Sequence, residues 1–179
     1  MTKSKATAAP AQRQSRLPYR FGVGGAVFNA AGQVWIGRRV CKPGQEIEHY
    51  WQMPQGGIDE GEDPAVAIVR EIAEETGTDK VEILDETDDW LVYDLPDHLI
   101  GVAWGGKYRG QRQKWFALRF TGIDADFDLE GHAKPEFSDW RWIELDQLPA
   151  LIVPFKQNLY HQVVSAFADW PSNIRNERS

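Results

Sequence analysis

Residues 56–77 read Gly56-Gly57-Ile58-Asp59-Glu60-Gly61-Glu62-Asp63-Pro64-Ala65-Val66-Ala67-Ile68-Val69-Arg70-Glu71-Ile72-Ala73-Glu74-Glu75-Thr76-Gly77. A glycine loop runs into a helix here. Asp63 supplies an N-cap, Pro64 suits the first helical position, the Ala-, Val- and Ile-rich stretch carries the helix through Thr76, and Gly77 is placed to end it. Glu71, Glu74 and Glu75 stand at i, i+3 and i+4 and so share one helix face. Like charges at this spacing destabilise a helix unless something neutralises them. A hard divalent cation such as Mg²⁺, which prefers oxygen ligands, is the natural partner.

On either side of this segment, Phe21 to Phe28 reads as a strand, Asn29-Ala30-Ala31-Gly32 as a turn, and Gln33 to Gly37 as the second arm of a hairpin. Arg38 to Tyr50 is a polar loop with Pro43-Gly44 in its middle. Further strands are expected over Glu82 to Asp85, Asp89 to Asp94, Gln113 to Phe120 and Trp140 to Trp142, with a helical turn from Asp146 to Leu148. The last helix is predicted over Phe155 to Trp170, with Leu159, Val163, Ala166 and Phe167 on its core side. Periodicity alone supports a single mixed α/β domain over 19–170. Residues 1–18, with Lys3, Lys5, Arg13 and Arg16 and no acid, read as a disordered tail, and 171–179 as a polar C-terminal tail.

At 179 residues and 42% apolar content, one domain can enclose a full core and no second domain is required. The single cysteine, Cys41, rules out an internal disulfide and fits a reducing compartment. No apolar run approaches the roughly eighteen residues of a membrane span, so the expected location is the cytoplasm, with organellar import as the other reading of the N-terminal tail. A net charge of −7 argues against a protein that coats nucleic acid, and hence against duplex DNA as a partner, without opposing one that grips only an RNA end.

The segment resembles the Nudix box: Gly56, Glu62, Arg70, Glu71, Ile72, Glu74, Glu75 and Gly77 fall on its pattern. Only Thr78 departs from it, standing where the family usually has an aliphatic residue. The resemblance narrows further to the bacterial RNA pyrophosphohydrolases and the dinucleoside polyphosphate hydrolases. Its marks outside the box are Tyr19-Arg20, Gly32-Gln33-Val34-Trp35, Arg38-Arg39, Trp51-Gln52-Met53-Pro54-Gln55, Trp90 to Pro96, Gly110 to Phe116, Pro135-Glu136-Phe137 and Pro154-Phe155-Lys156. It implies a Nudix fold, a mixed β-sheet sandwiched between α-helices.

The same resemblance implies that Glu71, Glu74 and Glu75, with the carbonyl of Gly56 and the extra acid Glu136, hold Mg²⁺ or Mn²⁺, and that one Glu takes a proton from the attacking water. Arg70 pairs with a carboxylate near the box and Glu62 orients it; for both, a structural ion pair is the other reading. Lys107 to Lys114 reads as a basic, glycine-broken loop that would attract a polyphosphate, with Arg112 and Lys114 as the expected contacts and Arg20 and Arg39 reaching the same phosphates. Phe155 would stack a base, Lys156 would donate to its edge, and Arg39 would close the other side. Trp51, Trp90, Trp115, Trp140 and Trp142 are expected in the core. The activity implied is removal of pyrophosphate from a 5′-triphosphorylated RNA end, opening RNA decay, by a monomer. Asymmetric hydrolysis of diadenosine tetra- or pentaphosphate is the second reading, and a non-catalytic nucleotide sensor the third.

Overall fold

The computed structural model describes residues 16–40, 51–131 and 134–177. Cys41, Pro43-Gly44 and most of the N-terminal tail lie outside the described residues. Among the described residues eight strands form one mixed sheet: β1 (Tyr19–Phe28), β2 (Val34–Arg39), β3 (Trp51–Gln52), β4 (Gln55–Gly57), β5 (Val81–Glu86), β6 (Leu91–Asp94), β7 (Gly110–Phe120) and β8 (Phe137–Ile143). The path β3-β2-β1-β7-β5 carries β4 on β1, β6 on β7 and β8 on β2. β1 and β7 run parallel from Tyr19↔Gly110 to Phe28↔Arg119, and the other pairs are antiparallel.

Period-two alternation divides the core between the two faces of this sheet. Val23, Val27, Phe116 and Leu118 meet Ala67, Ile68 and Ile72 of helix α1 (Pro64–Thr76) on one face. Ala26, Phe28, Trp115 and Ala117 meet residues of α2 (Leu148–Leu151), α3 (Gln157–Ala166) and α4 (Trp170–Asn176) on the other. The sheet is thus sandwiched between helices, as expected.

Helix α1 forms where its flanking residues predict. The Asp63 carboxylate accepts from Ala65 N at 2.8 Å, Pro64 opens the first turn, and Gly77 adopts φ 78° as the left-handed cap. The C-terminal region differs from expectation. Pro154–Lys156 forms a 3-10 turn, the helix behind it stops at Ala166, and Tyr160 rather than Ala166 faces the core. Residues 171–176, read as tail from their polar composition, form α4 together with Trp170, because Pro171 and Ile174 are buried. Trp115 and Trp35 are fully buried, whereas Trp51, Trp90, Trp140 and Trp142 are only partly so. Among the described residues no helix is long and apolar enough to cross a membrane.

Candidate active site

The short strand β4 places the glycine loop directly against α1. A side chain at Gly56 would overlap the Glu71 carboxylate, and one at Gly57 would overlap the Arg20 guanidinium. Both positions therefore require glycine so that an acid and a base can approach the backbone. The Gly56 carbonyl lies beside Gly22, where a Cβ would come within 2.6 Å of it.

Arg70 organises the acidic face. Its guanidinium donates to Glu62 through Nε and Nη2, at 2.8 Å each, to Glu71 at 2.9 Å, to the Gly57 carbonyl at 2.9 Å and to Glu74 at 3.4 Å. These charge-assisted bonds hold the Glu62 carboxyl down to about 2 and raise the Arg70 guanidinium further. Glu62 also accepts from Asp59 N at 2.9 Å, which pins the loop. Burial pushes the Glu71 carboxyl up, partly offset by Arg70.

Glu75 is turned inward, where its Oε2 accepts from Gln55 N at 3.0 Å. Burial first, and then the charges of Glu136 and Glu71, push its carboxyl well above the usual range. Glu136 reaches this cluster from the loop before β8 and is ion-paired with Arg39. Among the described residues no three of these acids already stand as a cation cage, since Arg70 draws Glu71 and Glu74 to itself. The donor set nonetheless fits a hard divalent cation: all its members are carboxylates, and the inner ones are crowded by negative charge.

Beside the acids lies a cleft of about 150 Å³. Arg20, Arg39 and Lys156 line it together with Glu136, and Tyr93, Trp104, Gln55 and Gln111 complete its walls. Lys156 is buried, and its ammonium lies 5.1 Å from the centre of the Tyr93 ring and makes no hydrogen bond or ion pair among the described residues. Burial, then the neighbouring Arg39 charge, brings its ammonium down to about 7. Sites that enclose a whole drug-sized ligand occupy about 300–1,000 Å³, so this cleft can hold only part of one.

The expected site residues divide into two groups. Arg20, Arg39, Gly56, Glu136 and Lys156 line the cleft, with Glu71 and Glu75 packed against it and Glu74 at the exposed rim. Arg112 and Lys114 are not brought there. β7 begins at Gly110, so alternation turns Gln111 and Gln113 toward the cleft side and Arg112 and Lys114 to the opposite face. Lys114 there pairs with Glu86 at 3.1 Å and donates to the Thr87 and Asp88 carbonyls. Phe155 does not stand open as a stacking platform: it is half-buried, packs against the helical core and lies 5.9 Å from the Tyr93 ring.

Four contributors were missed: Gln55, Gln111, Tyr93 and Trp104. Trp104 is the one non-glycine residue with positive φ among the described residues, at 50°, and its ring lies 5.7 Å from the Arg20 guanidinium. The neighbouring Gly101, Gly105 and Gly106, all at positive φ, were the signal of an unusual turn.

A family model described as the NUDIX domain matches residues 18–163. An RNA pyrophosphohydrolase of Rhodospirillum rubrum is 54% identical over 162 residues, spanning 90% of this chain and 94% of its own. That of Brucella ovis is 51% identical over 174 residues, spanning 93% and 97%. Among solved structures, an Ap4A hydrolase of C. elegans aligns over 83% of this chain and 98% of its own with a TM-score of 0.56 at 21% identity. The E. coli dihydroneopterin triphosphate pyrophosphohydrolase does so over 83% and 98% with a TM-score of 0.58 at 18% identity. At those identities the likeness is one of fold.

Proposed function

This chain belongs to the Nudix family, and from that membership and its cleft we propose that it removes pyrophosphate from the 5′ end of triphosphorylated RNA, leaving a 5′ monophosphate. The observation that carries the reading is the juxtaposition of three cationic side chains, Arg20, Arg39 and Lys156, with the carboxylates of α1 and Glu136. Relatives more than half identical over nearly their whole length, named RNA pyrophosphohydrolases, support it.

The reaction needs negative charge neutralised at the anhydride and a water held in line with the bond to be broken. Glu71, Glu74, Glu75 and Glu136 would hold a divalent cation, Mg²⁺ or Mn²⁺, which supplies Lewis acidity and an activated water when bound. Arg70 keeps Glu71 and Glu74 pointed along one face of α1. Gln55 N anchors the Glu75 carboxylate and sets which oxygen remains free. Arg20, backed by Trp104, and Arg39 neutralise phosphate oxygens, while the buried Lys156 adds a third donor that becomes fully charged beside an anion. The buried Lys156 is screened less than Arg39, whose side chain is 38% exposed.

Purified protein incubated with Mg²⁺ and 5′-triphosphorylated RNA should release pyrophosphate and leave RNA with a 5′ monophosphate. Diadenosine tetraphosphate at matched concentration is the comparison. A higher kcat/KM on the dinucleotide would overturn RNA as the principal substrate.

A further inference from the structure

Behind the cleft four glutamines form a continuous hydrogen-bonded line, and its direction is set at one point. The Trp115 indole N–H, which can only donate, lies 3.2 Å from Gln113 Oε1. Gln113 must therefore turn its NH₂ the other way, where it donates to Gln55 Oε1 at 2.9 Å and to Gln111 Oε1 at 3.1 Å. Gln55 passes the polarity on to Gln52 Oε1 at 3.0 Å, and Tyr93 Oη donates to Gln111 Oε1 at 2.6 Å. Every oxygen of the line is thus engaged inside it, and donors collect at its two ends. At the sealed end Gln52 Nε2 is buried without a partner among the described residues. At the other end Gln111, only 4% exposed, lines the cleft, and its Nε2 has no partner among the described residues.

We propose that the Trp115 indole, acting through Gln113, locks the Gln111 amide so that it offers the cleft a donor and never an acceptor, making Gln111 a specificity residue for anionic phosphate and Trp115 and Gln113 its positioning residues. The inference rests on the cleft taking a polyphosphate, as argued above. A freely turning amide would present its oxygen part of the time and repel a phosphate. The locked amide costs no reorganisation when substrate arrives. The unpartnered Gln52 NH₂ follows from the same one-way order.

Two isosteric substitutions test this. Gln111→Glu replaces the donor with a carboxylate while still accepting from Tyr93 and Gln113. Gln113→Glu leaves the Trp115 bond intact but accepts only, so it turns the Gln111 amide round and points its oxygen into the cleft. Each should raise KM for triphosphorylated RNA tenfold or more, with kcat within about threefold. Gln113→Met, which breaks the line without reversing it, should raise KM less than threefold, whatever it does to the melting temperature. An unchanged KM in Gln111→Glu, or equal KM effects of Gln113→Glu and Gln113→Met, would overturn the proposal. If the parent protein fails on RNA but cleaves diadenosine tetraphosphate or ATP, the RNA reading fails alone, and the same comparison is made on that substrate.

Discussion

Glu75 shows how one residue can oppose the fold and serve the site. Its carboxyl is pushed up by burial and by Glu136, so between its ordinary value of 4.5 and its raised value the native state holds a proton that the unfolded chain has lost. Linkage then makes the metal-free protein lose stability as pH rises through that window. Glu75→Gln keeps an acceptor for Gln55 N and removes the charge. We expect its metal-free melting temperature at pH 7 to equal or exceed the parent's, its response to Mg²⁺ to shrink, and turnover to fall at least about a hundredfold. Thermal melts with and without Mg²⁺, beside pyrophosphate release, check all three. A metal-free melting temperature below the parent's would mean that the carboxylate stabilises the fold.

At the scale of elements, α1 carries the acids and its two ends hold it in place. Asp63→Ala removes the bond to Ala65 N and should cost about 1 kcal/mol. Gly77→Ala should cost about 1–3 kcal/mol, because φ is 78° and an added Cβ would press on Asp128. For a domain of this size that is about 2–4 °C of melting temperature per kcal/mol. With kcat/KM measured well below the transition, both variants should stay within about twofold of the parent; a larger loss for Asp63→Ala would place the cap in the chemistry. This element was legible beforehand, since caps, apolar spacing and carboxylate spacing all fall within residues 63–77. The glutamine line was not, because neutral amides carry neither a charge pattern nor a period. Arg112 and Lys114 were expected at the phosphates because residues 107–114 read as a glycine-broken loop with the strand beginning at Gln113, whereas the strand starts earlier and its alternation turns both side chains away. That start, Gly110, is set by pairing with Tyr19 far away in the chain. The helix at 170–176 was hidden by its polar composition, although Asp169-Trp170-Pro171 is a plausible helix opening.

The whole molecule carries −7 yet gathers Arg20, Arg39 and Lys156 at one cleft. Contact with RNA confined to that cleft should release few counterions: about 0.7 per neutralised phosphate on a single strand gives a slope of log kcat/KM against log salt no steeper than about −2. A rate titration in KCl at fixed Mg²⁺ checks this, and a slope several times steeper would reveal a long track of phosphate contacts elsewhere on the surface. The parallel pairing of β1 with β7 has a consequence for how the protein comes into being. The first strand made must wait for a partner that includes Gly110 to Arg119, and β4, β6 and β5 join the sheet only through these two. Until Phe120 has left the ribosome, α1 has no finished surface to pack on, so its crowded acids emerge on a chain that cannot yet bury anything beneath them. Folding of this topology is governed by that late, long-range closure. A nascent chain halted before β7 should therefore remain protease-sensitive throughout, and become resistant only once β7, β8 and the helices through Asn176 that cover the sheet's other face have emerged.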